Sequence, residues 1–256
     1  MEIQLVRHAT LRVTYANRTL LVDPMLSRAG ELAATPNTPN QRPNPLVELP
    51  VPAESVIAGI DAVLVTHIHR DHFDQAAADL LPKEIPVFCQ PQDRERLTEC
   101  GFLNVTPVAD EIVWEGIRLG RTGGRHGTGD IGEKMGPVSG FVLRAEGEPC
   151  LYLAGDTIWC EEVERAAADH RPEVAVVFAG AAQFVTGGPI TMTAEDVVCL
   201  AGACPSARIV VAHMEAWNHC LLSRSELRAH LRERELDGRV LVPEDGEVMR
   251  FDKTLP

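Results

Sequence analysis

The chain has 256 residues, of which 45% are hydrophobic and 24% charged, with a formal net charge of -13. This composition excludes a disordered chain and is sufficient for a large folded core. The acidic balance argues against general nucleic-acid binding, which needs a basic surface, but it leaves a small anionic substrate open. No apolar run is long enough to cross a bilayer and the first residues lack a signal-peptide pattern, so no membrane partner is expected.

Seven cysteines are present, an odd number, and none forms a C-x-x-C pair. This usage predicts reduced and mostly buried thiols and a cytoplasmic location. The expected partner is a small-molecule substrate, and formation of a homo-oligomer is left open.

The first part of the chain has the pattern of short β-strands. Apolar segments at residues 2–7, 11–15 and 19–22 are separated by polar positions, with Asn17 and Arg18 predicted as a hairpin turn. Residues 27–55 then contain six prolines and several amide side chains, which predicts a long irregular loop. Because loops of this length are usually functional, we expect this one to form a wall or lid of a substrate pocket, the alternative being a surface loop far from the site.

The rest of the chain alternates strand and helix patterns. Helices are predicted at residues 74–81, 91–100, 161–170, 193–203 and 224–235, and strands at residues 61–66, 85–89, 104–108, 111–114, 117–120, 138–145, 150–154, 173–178, 208–212, 239–242 and 247–251. Both halves of the chain thus contain β-rich and β/α segments. Two packed sheets with helices outside would use all of these elements in an α/β fold.

Four side chains that can bind metal follow the buried strand at residues 61–66: His67, His69, Asp71 and His72. The carboxyl ends of strands are where open α/β folds place their sites. Imidazole and carboxylate groups suit divalent zinc, manganese or iron. These four ligands are too many for one metal approached from one side, which indicates two adjacent metals.

Three further candidates follow later strands or lie in glycine-rich turns: His126, Asp156 and His213. Taken alone, His213 would more often be a structural histidine and Asp156 a turn or helix cap. The cluster at residues 67–72 changes this interpretation, since it is too polar to adjoin a buried strand without a metal. We therefore expect seven ligands in total.

These residues resemble the metallo-β-lactamase superfamily, whose H-x-H-x-D-H signature is matched by His67, His69, Asp71 and His72. The resemblance covers essentially the whole chain and implies a single αββα sandwich domain over residues 1–256. It also implies a ligand set, in which His67, His69 and His126 hold one metal, Asp71, His72 and His213 hold the second, and Asp156 bridges them. Weaker motifs at residues 6–10, 22–24 and 213–217 resemble the branch that includes a bacterial ascorbate-6-phosphate lactonase.

The expected activity is that of a metal-dependent hydrolase. Two divalent ions, zinc in preference to manganese or iron, would share a water, lower its pKa and supply hydroxide to a small ester, lactone or phosphoester. Asp71 is the expected proton acceptor. Asp23 is a candidate acceptor for a ligand imidazole, or simply a residue that ends a strand before proline. His8, Trp217 and His219 are candidates for supporting the ligands or contacting substrate.

Two alternatives remain open at this stage. One is a redox enzyme on the same scaffold, although the diiron oxygen reductases that share the motif have a carboxylate where this chain has His69. The other is a non-catalytic protein that keeps its metals to bind a ligand. Arg70 and Arg125 flank ligands and are candidates for receiving a substrate anion, or are merely exposed.

Overall fold

The strands follow the apolar segments of the sequence and form two seven-stranded sheets within residues 1–252, the part of the chain that the computed structural model describes. The first sheet has the order β14-β1-β2-β3-β4-β5-β6. Its strands are β1 (Glu2–Arg7), β2 (Thr10–Tyr15), β3 (Arg18–Val22), β4 (Ala62–Val65), β5 (Pro86–Cys89), β6 (Asn104–Pro107) and β14 (Val248–Arg250). From β3 to β6 neighbouring strands run parallel, and the remaining pairs of this sheet are antiparallel.

The second sheet repeats this arrangement in the order β13-β12-β11-β10-β9-β8-β7. Its strands are β7 (Glu111–Trp114), β8 (Ile117–Thr122), β9 (Gly140–Arg144), β10 (Leu151–Leu153), β11 (Val174–Phe178), β12 (Arg208–Ala212) and β13 (Val240–Leu241). The pairs from β10 to β13 are parallel and those from β7 to β10 antiparallel. Each sheet therefore gathers the carboxyl ends of several parallel strands at one edge.

Seven α-helices and a short 3-10 helix (Pro91–Asp93) complete the described residues. The α-helices are α1 (Ala53–Ile57), α2 (Gln75–Leu80), α3 (Arg94–Glu99), α4 (Gly129–Met135), α5 (Glu161–His170), α6 (Ala194–Ala203) and α7 (Arg224–Arg232). The ends of α6 and α7 follow directly from the sequence. Thr193 and Ser223 each accept a hydrogen bond from the backbone N–H three residues later, and the acidic side chain at that position accepts one from the N–H of the cap residue. Both are capping boxes, so the orphan N–H groups of the first turn are satisfied.

Three hydrophobic layers hold the fold together, one between the two sheets and one on the outer face of each sheet. The apolar strand β4 contributes to two of them. Ala62 and Leu64 face the core between the sheets, whereas Val63 and Val65 face the helices on the outside. The second sheet is covered in the same way on its outer face by α5, α6 and α7. A strand buried on both faces has no polar alternation, which explains its sequence pattern. The predicted αββα sandwich is confirmed.

Three local predictions need correction. The first hairpin turns at Ala16 and Asn17, both with positive φ, and Arg18 already belongs to β3. A two-residue hairpin of this kind requires positive φ at both turn positions, and asparagine is among the non-glycine residues that tolerate it best. The helices α1 and α4 were not predicted, because α1 follows a proline-rich segment and α4 contains two glycines, each of which lowers helix propensity by about 1 kcal/mol.

The seven thiols differ in their exposure to solvent. All seven cysteines are free, but only Cys89 and Cys204 are fully buried, and Cys199 is exposed. The prediction of mostly buried thiols is therefore too strong. Among residues 1–252 we find no helix with the length and apolar character needed to span a bilayer.

Candidate metal centre

The ligand-rich segment begins where β4 ends and is held there by Asp23, which follows β3. The Thr66 backbone N–H donates to Asp23 Oδ1 at 2.7 Å, and the Thr66 hydroxyl donates to Asp23 Oδ2 at 2.7 Å. The backbone then turns tightly, with the His72 N–H donating to the His69 carbonyl at 3.0 Å. This turn separates the directions of neighbouring side chains, so that one short segment supplies two groups of potential ligands.

The first group consists of His67, His69 and His126, whose nearest ring nitrogens all lie within 4.8 Å of one another. His67 Nε2 and His69 Nδ1 are 2.9 Å apart. His126 comes from the glycine-rich segment after β8, and its Nδ1 donates to the Ile190 carbonyl at 2.7 Å. That bond fixes the tautomer of His126 and leaves Nε2 free to face the other two rings.

The second group consists of Asp71, His72, Asp156 and His213, all of them buried, again with ligand atoms within 4.8 Å of one another. Asp156 follows β10 and His213 follows β12, so the group joins the two sheets. His72 Nδ1 donates to Asp23 Oδ2 at 2.8 Å, which orients the ring and presents Nε2 to the group. A carboxylate behind a ligating imidazole also makes that imidazole more basic.

Asp156 lies between the two groups. Its Oδ2 is 3.2 Å from His72 Nε2 and 3.6 Å from His126 Nε2, and its Oδ1 is 3.3 Å from His213 Nε2. One carboxylate therefore faces nitrogens of both groups. This is the geometry that a residue shared by two metal sites would need.

Three atoms in this centre are buried and have no hydrogen-bond partner among the described residues: His72 Nε2, His213 Nε2 and Asp156 Oδ1. An unpartnered polar atom in the interior is costly, so each such atom in a folded protein needs an explanation. Here all three point into the same group, and nitrogen and carboxylate oxygen are the donors that divalent transition metals bind. The residues present thus fit a metal centre.

The charge states of the metal-free chain agree with this interpretation. Burial by itself raises the pKa of the Asp71 carboxyl, but the surrounding imidazoles, that of His72 first, lower the net pKa well below its usual range. The pKa of Asp156 is lowered in the same way by His213 and His72. Burial lowers the pKa of His213, whereas Asp156 raises it, with a net value of about 10. Both carboxylates are therefore ionised and ready to bind a cation, which would displace protons from the imidazoles.

Two predicted neighbours, His8 and His219, also face the centre. His8 is fully buried after β1, with Nε2 at 3.3 Å from Asp71 Oδ2. His219 Nε2 lies 3.8 Å from the same oxygen, and burial lowers the pKa of His219 to about 4. Burial also lowers the pKa of His8 well below its ordinary value, so both rings are neutral neighbours of the Asp71 carboxylate.

Cys220 is a neighbour that the sequence reasoning did not single out. Its Sγ lies 3.5 Å from His213 Nδ1, so the thiol adjoins the ring nitrogen that faces away from Asp156. Its position directly after His219, and seven residues after His213, is the signal that could have drawn attention to it.

An open cavity of about 250 Å³ leads to the centre. It is lined by Thr35, Ile68, His69, Arg70, Asp71, His126, Met135, Phe184, Ile190, Trp217 and His219. Arg70 is the cationic side chain in this lining, whereas Arg125 lies outside it in an ion pair with Glu162 at 3.0 Å. Thr35 belongs to the proline-rich loop, so that loop does contribute to the wall of the cavity. The remaining lining combines five apolar side chains with the histidines and aspartate of the centre.

The fold and this centre define a member of the β-lactamase superfamily, since residues 18–214 match the family model described as the Beta-lactamase superfamily domain. Within it, the chain is 42% identical to UPF0173 protein YddR of Bacillus subtilis, over 98% of this chain and 100% of that protein. It is also 26% identical to a UPF0173 metal-dependent hydrolase of Azorhizobium caulinodans, covering 80% of this chain and 87% of the relative. The chain therefore belongs to the UPF0173 family of metal-dependent hydrolases.

A solved structure has the same fold. The isothiocyanate hydrolase from Delia radicum gut bacteria superimposes with a TM-score of 0.94, at 35% identity, covering 98% of this chain and 100% of that one. The resemblance to the metallo-β-lactamase superfamily is confirmed. The ascorbate-6-phosphate lactonase branch, expected from the weaker motifs, is not confirmed by these relatives.

Proposed function

We propose that this chain is a dinuclear hydrolase of small electrophilic substrates. In this proposal His67, His69 and His126 hold one divalent ion, Asp71, His72 and His213 hold the other, and Asp156 is shared. The observation that carries the proposal is the position of Asp156, whose two oxygens face His126 and His72 on one side and His213 on the other. The donor set favours zinc, with manganese and iron as competitors.

The metal pair would supply hydroxide at neutral pH by lowering the pKa of a shared water, and would stabilise negative charge that develops on the substrate. The protein's own contribution is orientation and proton handling. Asp71 is ionised and faces the cavity, so its free oxygen can accept a proton from the nucleophile. Asp23 and the Ile190 carbonyl fix the rings of His72 and His126, which keeps the ligand nitrogens pointing at the centre.

The cavity favours a substrate with a small apolar group. Ile68, Met135, Phe184, Ile190 and Trp217 form the apolar part of its wall, and Arg70 is its cationic side chain. A neutral ester or lactone therefore suits this lining, whereas a phosphoester would depend on Arg70 and the metals for the positive charge that its oxygens need. All seven thiols are free, which favours a reducing, cytoplasmic setting for this activity.

A second candidate substrate class comes from the relative that is 35% identical and is named an isothiocyanate hydrolase. An isothiocyanate carries one electrophilic carbon and a small, often apolar substituent, which agrees with the apolar wall. Addition of water across the carbon–nitrogen double bond, followed by cleavage of the carbon–nitrogen bond, would give an amine and carbonyl sulfide. No oxidant or reductant is needed for this reaction.

The two other functional classes, a redox enzyme and a metal-containing binding protein, are separated from hydrolysis by one set of assays. Purified protein is incubated with acetate esters, γ-lactones, bis(p-nitrophenyl) phosphate and allyl isothiocyanate, before and after chelation and after adding zinc back. We expect chelator-sensitive hydrolysis of a neutral substrate without oxygen consumption. Oxygen uptake that depends on the metal would instead support the redox class, and binding without turnover across the panel would support the binding class.

A further inference from the structure

The proline-rich loop is attached to the segment that carries the metal-site residues. Thr35, which lines the cavity, accepts a hydrogen bond from the indole Nε1–H of Trp217 at 2.8 Å, and Trp217 lines the same cavity. Trp217 follows the candidate ligand His213 by four residues and adjoins Asn218. One side of the cavity is therefore built from two segments that are distant in the sequence.

Asn218 makes most of this attachment. Its Oδ1 accepts from the Thr35 backbone N–H at 3.0 Å and from Asn44 Nδ2 at 2.7 Å. Its Nδ2 faces the Thr38 hydroxyl at 2.7 Å, the Asn40 carbonyl at 2.6 Å and the Thr35 carbonyl at 3.1 Å. In return, Asn44 Oδ1 accepts from the Asn218 backbone N–H at 2.8 Å.

This side chain is fully buried, and its whole hydrogen-bonding capacity is used on the loop. An amide is the group that such a position requires, because it offers an acceptor and two donors within one planar unit. An aspartate of the same shape would lose both donors and place a negative charge beside the Thr35 and Asn40 carbonyls. An alanine would leave the loop's buried polar groups without partners.

The loop is also joined to the segment that carries Phe184, another residue of the cavity lining. The Val185 backbone N–H donates to the Asn37 carbonyl at 2.8 Å, and Val185 follows Phe184. The Leu46 N–H also donates to the Ala216 carbonyl at 2.8 Å. Residues 35–46 are thus tied to both cavity-lining segments, and Asn218 makes most of these bonds.

We propose that Asn218 is a positioning residue that holds this loop as a preformed wall and thereby sets which substrate substituents fit the cavity. It does so without contacting substrate, since its polar atoms are taken up by the loop. This inference rests on the proposed function, and it identifies a specificity-determining residue for it. A rigid wall restricts bulky groups, and releasing the wall changes discrimination between large and small ligands more than it changes the chemistry at the metals.

The test compares Asn218→Asp and Asn218→Ala with Arg42→Ala, a matched control at an exposed side chain of the same loop. Hydrogen exchange of peptides over residues 32–46 measures whether the loop is released, and metal analysis measures whether the centre survives. Specificity is measured as the ratio of kcat/KM for phenyl acetate to that for methyl acetate, and as the ratio of dissociation constants for phenylacetate and acetate in zinc-loaded protein. The binding ratio does not need turnover, so a failure of the proposed hydrolysis can be distinguished from a failure of this inference.

We expect both Asn218 variants to exchange at least about tenfold faster over residues 32–46, with metal content unchanged, and to shift the specificity ratios at least about fivefold through KM or dissociation constant. The Arg42→Ala control keeps wild-type values. If an Asn218 variant fails to fold, Thr38→Val removes one partner of the amide from the loop side and should shift the same ratios by a smaller factor. Faster exchange with unchanged ratios for both ligand pairs would overturn the inference, as would equal loss of kcat for every substrate.

Discussion

The backbone N–H of His213 donates to the carbonyl of His8 at 2.8 Å, and both residues have positive φ, 63° and 59° respectively. This bond joins the end of β12 to the end of β1, and therefore the two sheets, at the metal centre. The two imidazole rings lie close, with centroids 3.8 Å apart. Positive φ costs a non-glycine residue on the order of 1 kcal/mol and persists where the surroundings enforce it, which is common at functional sites.

The first prediction concerns His8, whose Nε2 adjoins Asp71 Oδ2 at 3.3 Å. Asparagine tolerates positive φ, so His8→Asn should keep the backbone bond while removing the imidazole donor from Asp71. We expect turnover to fall about 10- to 100-fold, the range typical of residues that support metal ligands. Steady-state kinetics and metal analysis on the same preparation check this. Wild-type turnover in a fully metallated variant would show that the His8 ring has no part in the chemistry.

The second prediction concerns Asp71 itself. Replacement by asparagine keeps the size of the side chain but weakens a ligand and removes the proton acceptor. We expect at least about a hundredfold fall in turnover, the scale of general acid–base catalysis, in a protein that remains folded. Circular dichroism serves as the folding control. Unchanged turnover with full metal occupancy would contradict the role assigned to Asp71.

The third prediction is the metal count. Seven candidate ligands in two groups predict close to two metals per chain in protein purified without chelator. His126→Ala should remove one metal from the first group and leave the second group occupied, because Asp71, His72 and His213 do not depend on His126. His213→Ala should remove the metal of the second group and leave the first group occupied. Mass-spectrometric metal analysis decides the matter, and a wild-type protein that saturates at one metal would exclude the dinuclear proposal.

The fourth prediction uses Asp93, a buried carboxyl outside the ligand groups that accepts a hydrogen bond from Gln90 Nε2 at 3.0 Å. Burial raises its pKa from 3.8 to about 6. The folded chain therefore binds this proton more tightly than the unfolded chain does, and proton binding stabilises the fold. This stabilisation is fully present below pH 3.8 and is lost as the pH rises through about 6.

Asp93→Asn, which is uncharged at every pH and keeps the acceptor for Gln90, should therefore be more stable than wild type above pH 6. The gain should reach up to about 3 kcal/mol in the free energy of unfolding and shrink towards zero near pH 4. Urea unfolding at pH 4.5 and pH 8 measures it. Equal wild-type and variant stability at pH 8 would contradict the pKa shift.

Much of the fold and of the candidate site could be predicted from local sequence patterns. Each predicted ligand follows a strand or lies in a glycine-rich turn, and the parallel order of strands brings such positions to one edge of each sheet. The capping residues Thr193 and Ser223 mark the starts of α6 and α7 because a cap is satisfied within its own helix. Local chemistry of this kind needs no knowledge of the rest of the fold.

Contacts between segments that are distant in the sequence were decided by the tertiary structure alone. Asp23 was expected to accept from a ligand imidazole, but that the ring is His72 has no local signature. The approach of Cys220 to the ring of His213 and the attachment of Asn218 to Thr35 have none either. Thr35 and Asn218 are 183 residues apart, and no periodicity or spacing links them. The sequence by itself determined the ligand types and their positions at strand ends, because hydrophobic patterning and turn chemistry act over a few residues. Only the packing of the two sheets decided which ring each supporting side chain meets and which residue of the proline-rich loop reaches the cavity, because burial and hydrogen-bond satisfaction are properties of the whole fold.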